Sequence, residues 1–327
     1  MNWLKIGMFG LAFVTLIGLI YAIEPDKIID AMSEIEFSLL ILAVILYLIN
    51  TVIKAMRWRL IVSSTGTQLG YVEAVRLFLC GLAVNNTTPG GVSGEPLRVM
   101  LLRYKKGTPT GEGLSTIFSE RLIDLTVLMC LSVSGLWFLL PILNHGDGQN
   151  LLISVGALCI ILTTLLTFAL HPKPLEIVIA FFEPAESKPK LMQKIHGWIL
   201  QFQTGLEQLR EKREIAIKAF LVTLVIWINA SIRFGLIVYA VTGNFEAAGL
   251  IILASGLVYS IGTFLPFGVG NIAIATLVLS AAKIDEAQAI TIGIVEVATS
   301  LTLSVPMGIF SMGITGMPEE EKSDQSR

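Results

Sequence analysis

The chain has 327 residues, of which 54% are hydrophobic and 15% charged, and its mean hydropathy is +0.76. Soluble globular chains carry about 25% charged residues, so this composition excludes most cytosolic enzyme classes and predicts an integral membrane protein. The net charge is −2 and no separate basic region exists, so we expect no nucleic-acid partner. Three cysteines in apolar stretches and three scattered histidines give no metal-ligand spacing, so we expect no metal and no other cofactor.

Six apolar runs are long enough to cross a bilayer as helices, which predicts an all-α polytopic membrane protein. The first run ends in an acidic stretch without a small-residue cleavage site, which indicates a retained span rather than a signal peptide. We expect one transmembrane domain over residues 1–315 and a disordered cytoplasmic tail over 316–327. The six runs are Ile6 to Ile23, Phe37 to Ile53, Leu125 to Leu143, Leu151 to Leu170, about Ile215 to Val241, and Ala287 to Met317.

Two further apolar segments are interrupted. The first consists of Tyr71 to Val84, the sequence NNTTPGGVSG and a second apolar piece, Pro96 to Leu102. The other, Ala247 to Ala282, is broken by Pro266 and two nearby glycines. Such a break frees backbone polar groups, which need partners from protein or from a wet cavity. We therefore predict two re-entrant broken-helix hairpins, each entering and leaving the membrane on the same side.

The basic residues orient this topology. With a cytoplasmic N-terminus and two hairpins, all but three of the 23 Lys and Arg residues face the cytoplasm, as does the C-terminus. The exceptions are Lys27, Arg233 and Lys283. In the alternative topology the first interrupted segment crosses fully, which places the basic cluster of residues 98–106 outside and needs a span shorter than the hydrocarbon core.

Residues 188–213, between the fourth and fifth spans, carry apolar side chains with a helical period and several lysines near the start. This pattern predicts an interfacial helix on the cytoplasmic leaflet. Such a helix is either a connector that obeys the positive-inside rule or an element that recognises a particular lipid.

The sequence repeats itself after 176 positions. Arg57 and the following Leu-Ile-Val recur as Arg233 and Leu-Ile-Val, and Glu120 recurs as Glu296. PGGVSGE, ending at Glu95, recurs one residue shorter as PFGVGN, ending at Asn271. The predicted topology gives the two repeats, about 37–143 and about 215–315, opposite orientations. Inverted repeats with broken helices are typical of secondary transporters.

The glycines of the first break favour either of two functions. They let backbone amides approach a ligand and open a helix at Glu95, whose N-terminus attracts an anion such as a phosphate. They would equally suit a turn built for close helix packing.

Ionisable residues within membrane segments are functional candidates. Glu120 and Asp124 lie one helical turn apart and should repel each other unless a cation such as Arg57, Arg98 or Arg121 lies between them. They form either a structural ion cluster at a cytoplasmic gate or a substrate-coupling site. Arg233 and Glu296 lie deep in otherwise apolar spans, and we predict that they contact each other. The predicted substrate-binding residues are Arg57, Asn86, Thr88, Gly90, Gly91, Gly94, Glu95, Arg98, Arg233 and Asn271, and the predicted gating or coupling residues are Glu120, Arg121, Asp124 and Glu296.

The motif N-x-x-T-P-G-G-x-x-G-E-P-L-R at residues 85–98, followed by E-R-x-x-D at 120–124, resembles the transmembrane region of the lysylphosphatidylglycerol synthase family. The resemblance extends over nearly the whole chain. It implies a lipid translocase in a prokaryotic plasma membrane, with a central hydrophilic cavity for lipids such as aminoacylated phosphatidylglycerol or polyprenol-linked sugars. The aminoacyl transferase domain of that family is absent from this sequence, so lipid synthesis is not implied. Asn271 stands where a glutamate would be expected.

Together these features predict a lipid flippase without enzymatic activity. A polar headgroup, with an anionic phosphate and with or without an amine or sugar, would pass between the repeats. The phosphate-binding sequence G-x-x-x-x-G-K-[ST] is missing, so transport would be facilitated or proton-coupled rather than driven directly by ATP. Besides the lipid, a second copy of the chain and a separate lipid-modifying enzyme are considered as partners.

Three other functions stay open at this stage. The protein could transport a small soluble solute. It could be a membrane enzyme acting on lipid phosphates, in which Glu120 and Asp124 bind Mg²⁺. It could also be a structural or regulatory membrane protein.

Overall fold

The computed structural model describes residues 35–87, 93–142, 145–170, 190–262 and 269–315. The described residues form helices joined by turns and short loops, with no strand among them, as the apolar runs predict. The α-helices are α1 (Phe37–Val62), α2 (Tyr71–Thr87), α3 (Gly94–Lys106), α4 (Thr110–Leu139), α5 (His145–Leu170), α6 (Lys190–Glu211), α7 (Arg213–Thr242), α8 (Phe245–Gly262), α9 (Val269–Ala281) and α10 (Glu286–Thr315).

Five segments of the described chain are long and apolar enough to cross a membrane, and they coincide with five of the six predicted spans. They are Phe37–Thr65, Thr110–Leu139, Gly148–Thr167, Arg213–Thr242 and Glu286–Thr315. The predicted first span, Ile6 to Ile23, and the predicted tail, 316–327, lie outside the described residues.

Two helices are longer than the sequence predicts. Helix α1 continues past Ile53 to Val62, and α4 begins at Thr110 rather than at Leu125. The reason is the same in both cases. Each predicted span ends next to a charged residue, Lys54 or Asp124, whereas charged residues beyond those ends, Arg57 and Glu120, pair with each other inside the protein.

Each interrupted segment is a pair of helices that pack against each other, α2 with α3 and α8 with α9. Gly94 shows how close the first pair is, because a Cβ atom on it would overlap the carbonyl oxygen of Gly81. The breaks themselves, residues 88–92 and 263–268, lie outside the described residues.

The duplication also appears in the helix bounds. A shift of 176 positions maps Thr110–Leu139 onto the bounds of α10, and it maps the starts of α1, α2 and α3 to within two residues of the starts of α7, α8 and α9. The turn before the last helix of each repeat matches as well. Gly107 has φ of 71°, and its counterpart Lys283 has φ of 60°, a left-handed conformation that side chains other than glycine rarely adopt. The second repeat therefore keeps this turn without its glycine.

Helices of the first repeat pack against helices of the second. Helix α1 packs along α7, α2 packs against α10, and α4 packs against α8. A buried apolar core fills the space among α4, α7, α8 and α10.

Helix α6 confirms the amphipathic helix predicted over residues 188–213. It packs against α4, the second span of the described chain. Its depth relative to a membrane stays a prediction.

Candidate functional site

A cluster of four charged side chains lies between α1, α3 and α4. We call Arg57, Arg98, Glu120 and Asp124 the first ion cluster. Arg57 Nη2 lies 2.7 Å from Glu120 Oε1, and Arg57 Nη1 lies 2.5 Å from Asp124 Oδ1. Arg98 Nη1 donates to the other oxygen of Glu120 at 3.0 Å. The prediction that a cation separates Glu120 from Asp124 is thus confirmed, and the cation is Arg57.

The second repeat completes this cluster through α7. Thr223 Oγ1 accepts a hydrogen bond of 2.9 Å from Arg57, and Trp227 Nε1 donates one of 2.9 Å to Asp124. The cluster is buried, because no side chain in it is more than 11% exposed. Buried charges are tolerated when they are paired and hydrogen-bonded, as these are.

Arg233 and Glu296 form the second ion cluster, between α7 and α10. Their side chains make a buried ion pair, which confirms the predicted contact. The hydroxyl of Tyr259 donates to Glu296 Oε1 at 2.9 Å, and the Arg233 guanidinium lies 5.4 Å from the centre of the Tyr47 ring.

The second ion cluster is incompletely hydrogen-bonded. Among the described residues, Nε and Nη1 of Arg233 and Oε2 of Glu296 are buried and make no hydrogen bond, whereas the first ion cluster has one such atom, Nε of Arg57. Oδ1 of Asn271, a predicted substrate-binding residue, is also buried without a hydrogen bond among the described residues. Buried polar groups of this kind are rare in proteins, and each calls for water or another polar group.

Lys54 lies on α1, one turn before Arg57. Its side chain is half-buried, and Nζ lies 5.6 Å from the centre of the Trp227 ring. No carboxylate of the described chain pairs with it. Since the charges of both ion clusters balance within themselves, Lys54 adds an unmatched positive charge beside the first ion cluster.

Glu95 and Arg121 form a separate pair next to the first ion cluster. Arg121 Nε donates to Glu95 Oε1 at 2.6 Å. This pair is more accessible than either cluster, because 42% of the Arg121 side chain is exposed.

The polar residues around the first break turn toward protein. Asn86 Nδ2 donates to Ser304 Oγ of α10 at 2.5 Å, and the amide of Gly94 donates to Asn85 Oδ1 at 2.6 Å. The Gly94 amide is thus used within the turn, which favours the packing alternative for this glycine. Thr88, Gly90 and Gly91 lie outside the described residues.

Sequence reasoning missed four residues that contact the clusters and a fifth, Lys54, that lies beside the first. Thr223, Trp227, Tyr259 and Tyr47 sit in apolar spans, where single polar or aromatic residues are common and give no signal alone. Lys54 did carry a signal, a charge inside α1, but it was interpreted as the end of a span.

These features define a class: a polytopic membrane protein with a duplicated helical unit and buried ion pairs. The model of the family described as lysylphosphatidylglycerol synthase TM region matches residues 3–308, so the chain belongs to that family. The resemblance seen in the sequence is therefore confirmed.

Several archaeal membrane proteins are similar to the chain. A UPF0104 membrane protein of Methanothermobacter thermautotrophicus is 22% identical over 327 residues, covering 94% of this chain and 95% of that protein. A UPF0104 membrane protein of Pyrococcus horikoshii is 21% identical over 218 residues, covering 62% of this chain and 64% of that protein. The glycosyltransferase AglD of Haloferax volcanii is 21% identical, and the match covers 94% of this chain but only 53% of AglD. No solved structure matches the chain.

Proposed function

We propose that the protein is a lipid translocase that moves a phosphate-bearing, anionic headgroup between the two leaflets while the hydrocarbon chains stay in the bilayer. It would have six spans, two re-entrant hairpins and cytoplasmic termini in a prokaryotic plasma membrane. The observation that carries this proposal is the pair of buried ion clusters at corresponding positions of the two repeats, the second of which leaves polar atoms without partners.

The contacts between the repeats support a two-fold relation between them. Asn50 donates a hydrogen bond of 3.2 Å to the carbonyl of Ile226, its own counterpart 176 positions later. A residue meets its counterpart only near a two-fold axis. The arginines behave alike: Arg57 contacts Thr223, and Arg233 lies against Tyr47, which is the counterpart of Thr223.

With such a two-fold relation, one ion cluster would lie in each half of a translocation path. Secondary transporters with inverted repeats use such equivalent sites to open alternately to the two sides. The first ion cluster, with every carboxylate held by arginine, then represents a closed gate. The second, with more unpaired atoms, represents the half that would bind the polar headgroup.

The charges favour an anionic headgroup. Lys54 supplies a positive charge without a carboxylate partner, and Arg57 and Arg233 can exchange a carboxylate for a phosphate oxygen. Arginine suits this exchange because its planar guanidinium binds carboxylate and phosphate in the same two-point geometry. The alternative of a Mg²⁺ enzyme at Glu120 and Asp124 is less well supported, because Arg57 already stands between the two carboxylates.

The relation to AglD does not alter this proposal. Its name describes a glycosyltransferase, but the match leaves nearly half of AglD uncovered. We propose that the present chain performs the membrane step and not a transfer reaction.

The test is transport by the purified protein in liposomes. Fluorescent phosphatidylglycerol and polyprenyl phosphate analogues are reconstituted, and a membrane-impermeant quencher reports how fast the protected inner-leaflet signal is lost. We expect a protein-dependent, headgroup-selective loss that Arg233→Ala and Glu296→Ala abolish while the protein stays folded.

The chain offers a matched control for these variants. Glu214 and Lys218 form an exposed ion pair on α7, the helix that carries Arg233, so Lys218→Ala should transport like the wild type. Absence of acceleration for every lipid would contradict a lipid translocase and favour transport of a soluble solute. Normal transport by both buried-pair variants would remove Arg233 and Glu296 from the mechanism.

A further inference from the structure

A cavity of about 680 Å³ lies between α3, α4 and the amphipathic helix α6, beside the first ion cluster rather than within it. Its volume is within the range of sites that bind small molecules. Its walls are almost entirely apolar, with one polar end formed by Glu95 and Arg121. The apolar side chains include Leu114, Ile117 and Phe118 of α4 and Ile195, Trp198 and Phe202 of α6.

The walls of this cavity are held in place. A Cβ atom on Gly111 would overlap the carbonyl oxygen of Trp198, so α4 and α6 touch at backbone distance here. The amide of Gly111 donates to Gln201 Oε1 at 3.1 Å, and the rings of Phe118 and Phe202 meet edge to face at 5.4 Å. The cavity is therefore a preformed site between docked helices.

The polar end retains hydrogen-bonding capacity. Arg121 directs Nε and Nη2 at a single oxygen, Glu95 Oε1. Within the described chain, Arg121 Nη1 and Glu95 Oε2 have no hydrogen-bond partner, and Arg121 is partly exposed. A guanidinium with a free N–H and partial exposure suits a phosphate oxygen.

An apolar cavity that ends at a guanidinium matches an amphipathic ligand. We propose that this cavity is the lateral entry site for the transported lipid, with a hydrocarbon chain against Trp198 and the phosphate at Arg121. This inference rests on the proposed function and adds the site that the lipid occupies before it is transported. Arg121 follows Glu120 directly in α4, so a phosphate held there stands next to the first ion cluster.

The occupant comes from the surrounding bilayer. The cavity borders α4, which is long and apolar enough to cross the membrane, and its wall α6 is amphipathic. A soluble anion would use the guanidinium but would leave the apolar walls unmatched. A phosphate-free lipid would fill the walls but would leave Arg121 without its ligand.

Quenching of tryptophan fluorescence by brominated lipid chains tests this proposal. Wild-type protein is placed in phosphatidylcholine vesicles containing either brominated phosphatidylglycerol or brominated diacylglycerol, which lacks the phosphate. The contribution of Trp198 is the difference between wild type and Trp198→Phe. Trp137, 78% exposed on α4, gives the matched control through Trp137→Phe.

We expect half-quenching of Trp198 at about a tenfold lower mole fraction of phosphatidylglycerol than of diacylglycerol, the usual consequence of one charge-assisted hydrogen bond. The Trp137 contribution should be quenched equally by both lipids. Arg121→Gln should abolish the preference. Equal quenching of Trp198 by both lipids, or a preference that survives in Arg121→Gln, would overturn the proposal.

A second pair of variants covers misfolding of Arg121→Gln. Leu114→Phe narrows the cavity and should reduce the quenching of Trp198 by phosphatidylglycerol. Leu140→Phe, just past the other end of α4, alters a leucine of similar exposure and should not. Equal quenching in the two variants would count against the site.

The two proposals fail separately. Transport without headgroup-selective quenching of Trp198 would remove the entry site and keep the translocase. Selective quenching without transport would keep the site and remove the translocase. The Arg233→Ala variant, which should bind lipid but not transport it, links the two measurements.

Discussion

The two ion clusters share an arginine–glutamate pair but differ in how many polar atoms of that pair make hydrogen bonds. Each has an arginine and a glutamate 63 positions apart, Arg57 with Glu120 and Arg233 with Glu296. In the first, Asp124 and Arg98 bind the same two side chains. Their counterparts in the second repeat are Ser300 and Ile274, which carry no charge. The second pair consequently retains buried atoms without hydrogen bonds.

This difference separates two roles that one ion pair can have. A cluster in which both carboxylates are held by arginine fixes the helices that it joins, whereas a pair with an unused carboxylate oxygen and two unused donors can still take a ligand. Duplicated halves would begin with equal sites. Under the proposed function, the two charges that differ between the repeats would make the first ion cluster a structural contact and leave the second to bind the headgroup.

The largest effect should come from removing Arg57 from the first ion cluster. Arg57→Ala removes two buried ion pairs at once and leaves Glu120 with only Arg98 and Asp124 with only Trp227, so we expect the free energy of unfolding to fall by about 3–5 kcal/mol. Arg233→Ala should cost less, because it leaves one carboxylate that still accepts from Tyr259. Unfolding by sodium dodecyl sulfate in mixed micelles measures both. Equal stabilities of the two variants would contradict the comparison.

The next effect separates stability from transport at the second ion cluster. Replacing a buried ion pair with apolar residues of similar size is often neutral or stabilising, so the double variant Arg233→Met with Glu296→Leu should remain folded. It should nevertheless lose translocation in the liposome assay, because no cation is left for the phosphate. Retained transport would show that the pair is only structural.

A smaller effect should follow from making the second ion cluster resemble the first. Ser300→Asp places a carboxylate at the counterpart of Asp124, where it can engage the free Nη1 and Nε of Arg233. We expect slower translocation without loss of folding. Ser300→Asn has a similar shape without the charge and should transport close to the wild-type rate. Equal rates for the two variants would exclude competition by the carboxylate.

Much of the fold could be predicted from the sequence because each membrane span requires an apolar run as long as a whole helix. The repeat offset also predicted the Arg233 to Glu296 contact, since equal spacing in duplicated helices brings equivalent residues together. The predicted end of α1 and the predicted start of α4 are wrong because a charged residue in the sequence favours contact with water. Arg57 shows the other outcome, in which a charge is buried by a partner that is distant in sequence.

The partners that complete the site could not be predicted. Trp227 and Tyr259 lie among many apolar residues, and only the packing of α7 and α8 selects them. Likewise, glycines at a break fit either a ligand or a close helix contact. The close approach of Gly81 shows that Gly94 serves helix packing, and the sequence does not reveal that approach.

The smallest effect should come from Lys54, which has no equivalent charge in the second repeat because its counterpart is Ala230. If its unmatched charge attracts the headgroup, Lys54→Gln should weaken selection for anionic over zwitterionic lipid by about 1 kcal/mol, the scale of a cation held by an aromatic ring. Lys54→Arg keeps the charge over Trp227 and should keep the selectivity. Competition between phosphatidylglycerol and phosphatidylcholine analogues in the liposome assay measures both. Unchanged selectivity in Lys54→Gln would leave the choice of headgroup to the arginines alone, and so to the two ion clusters.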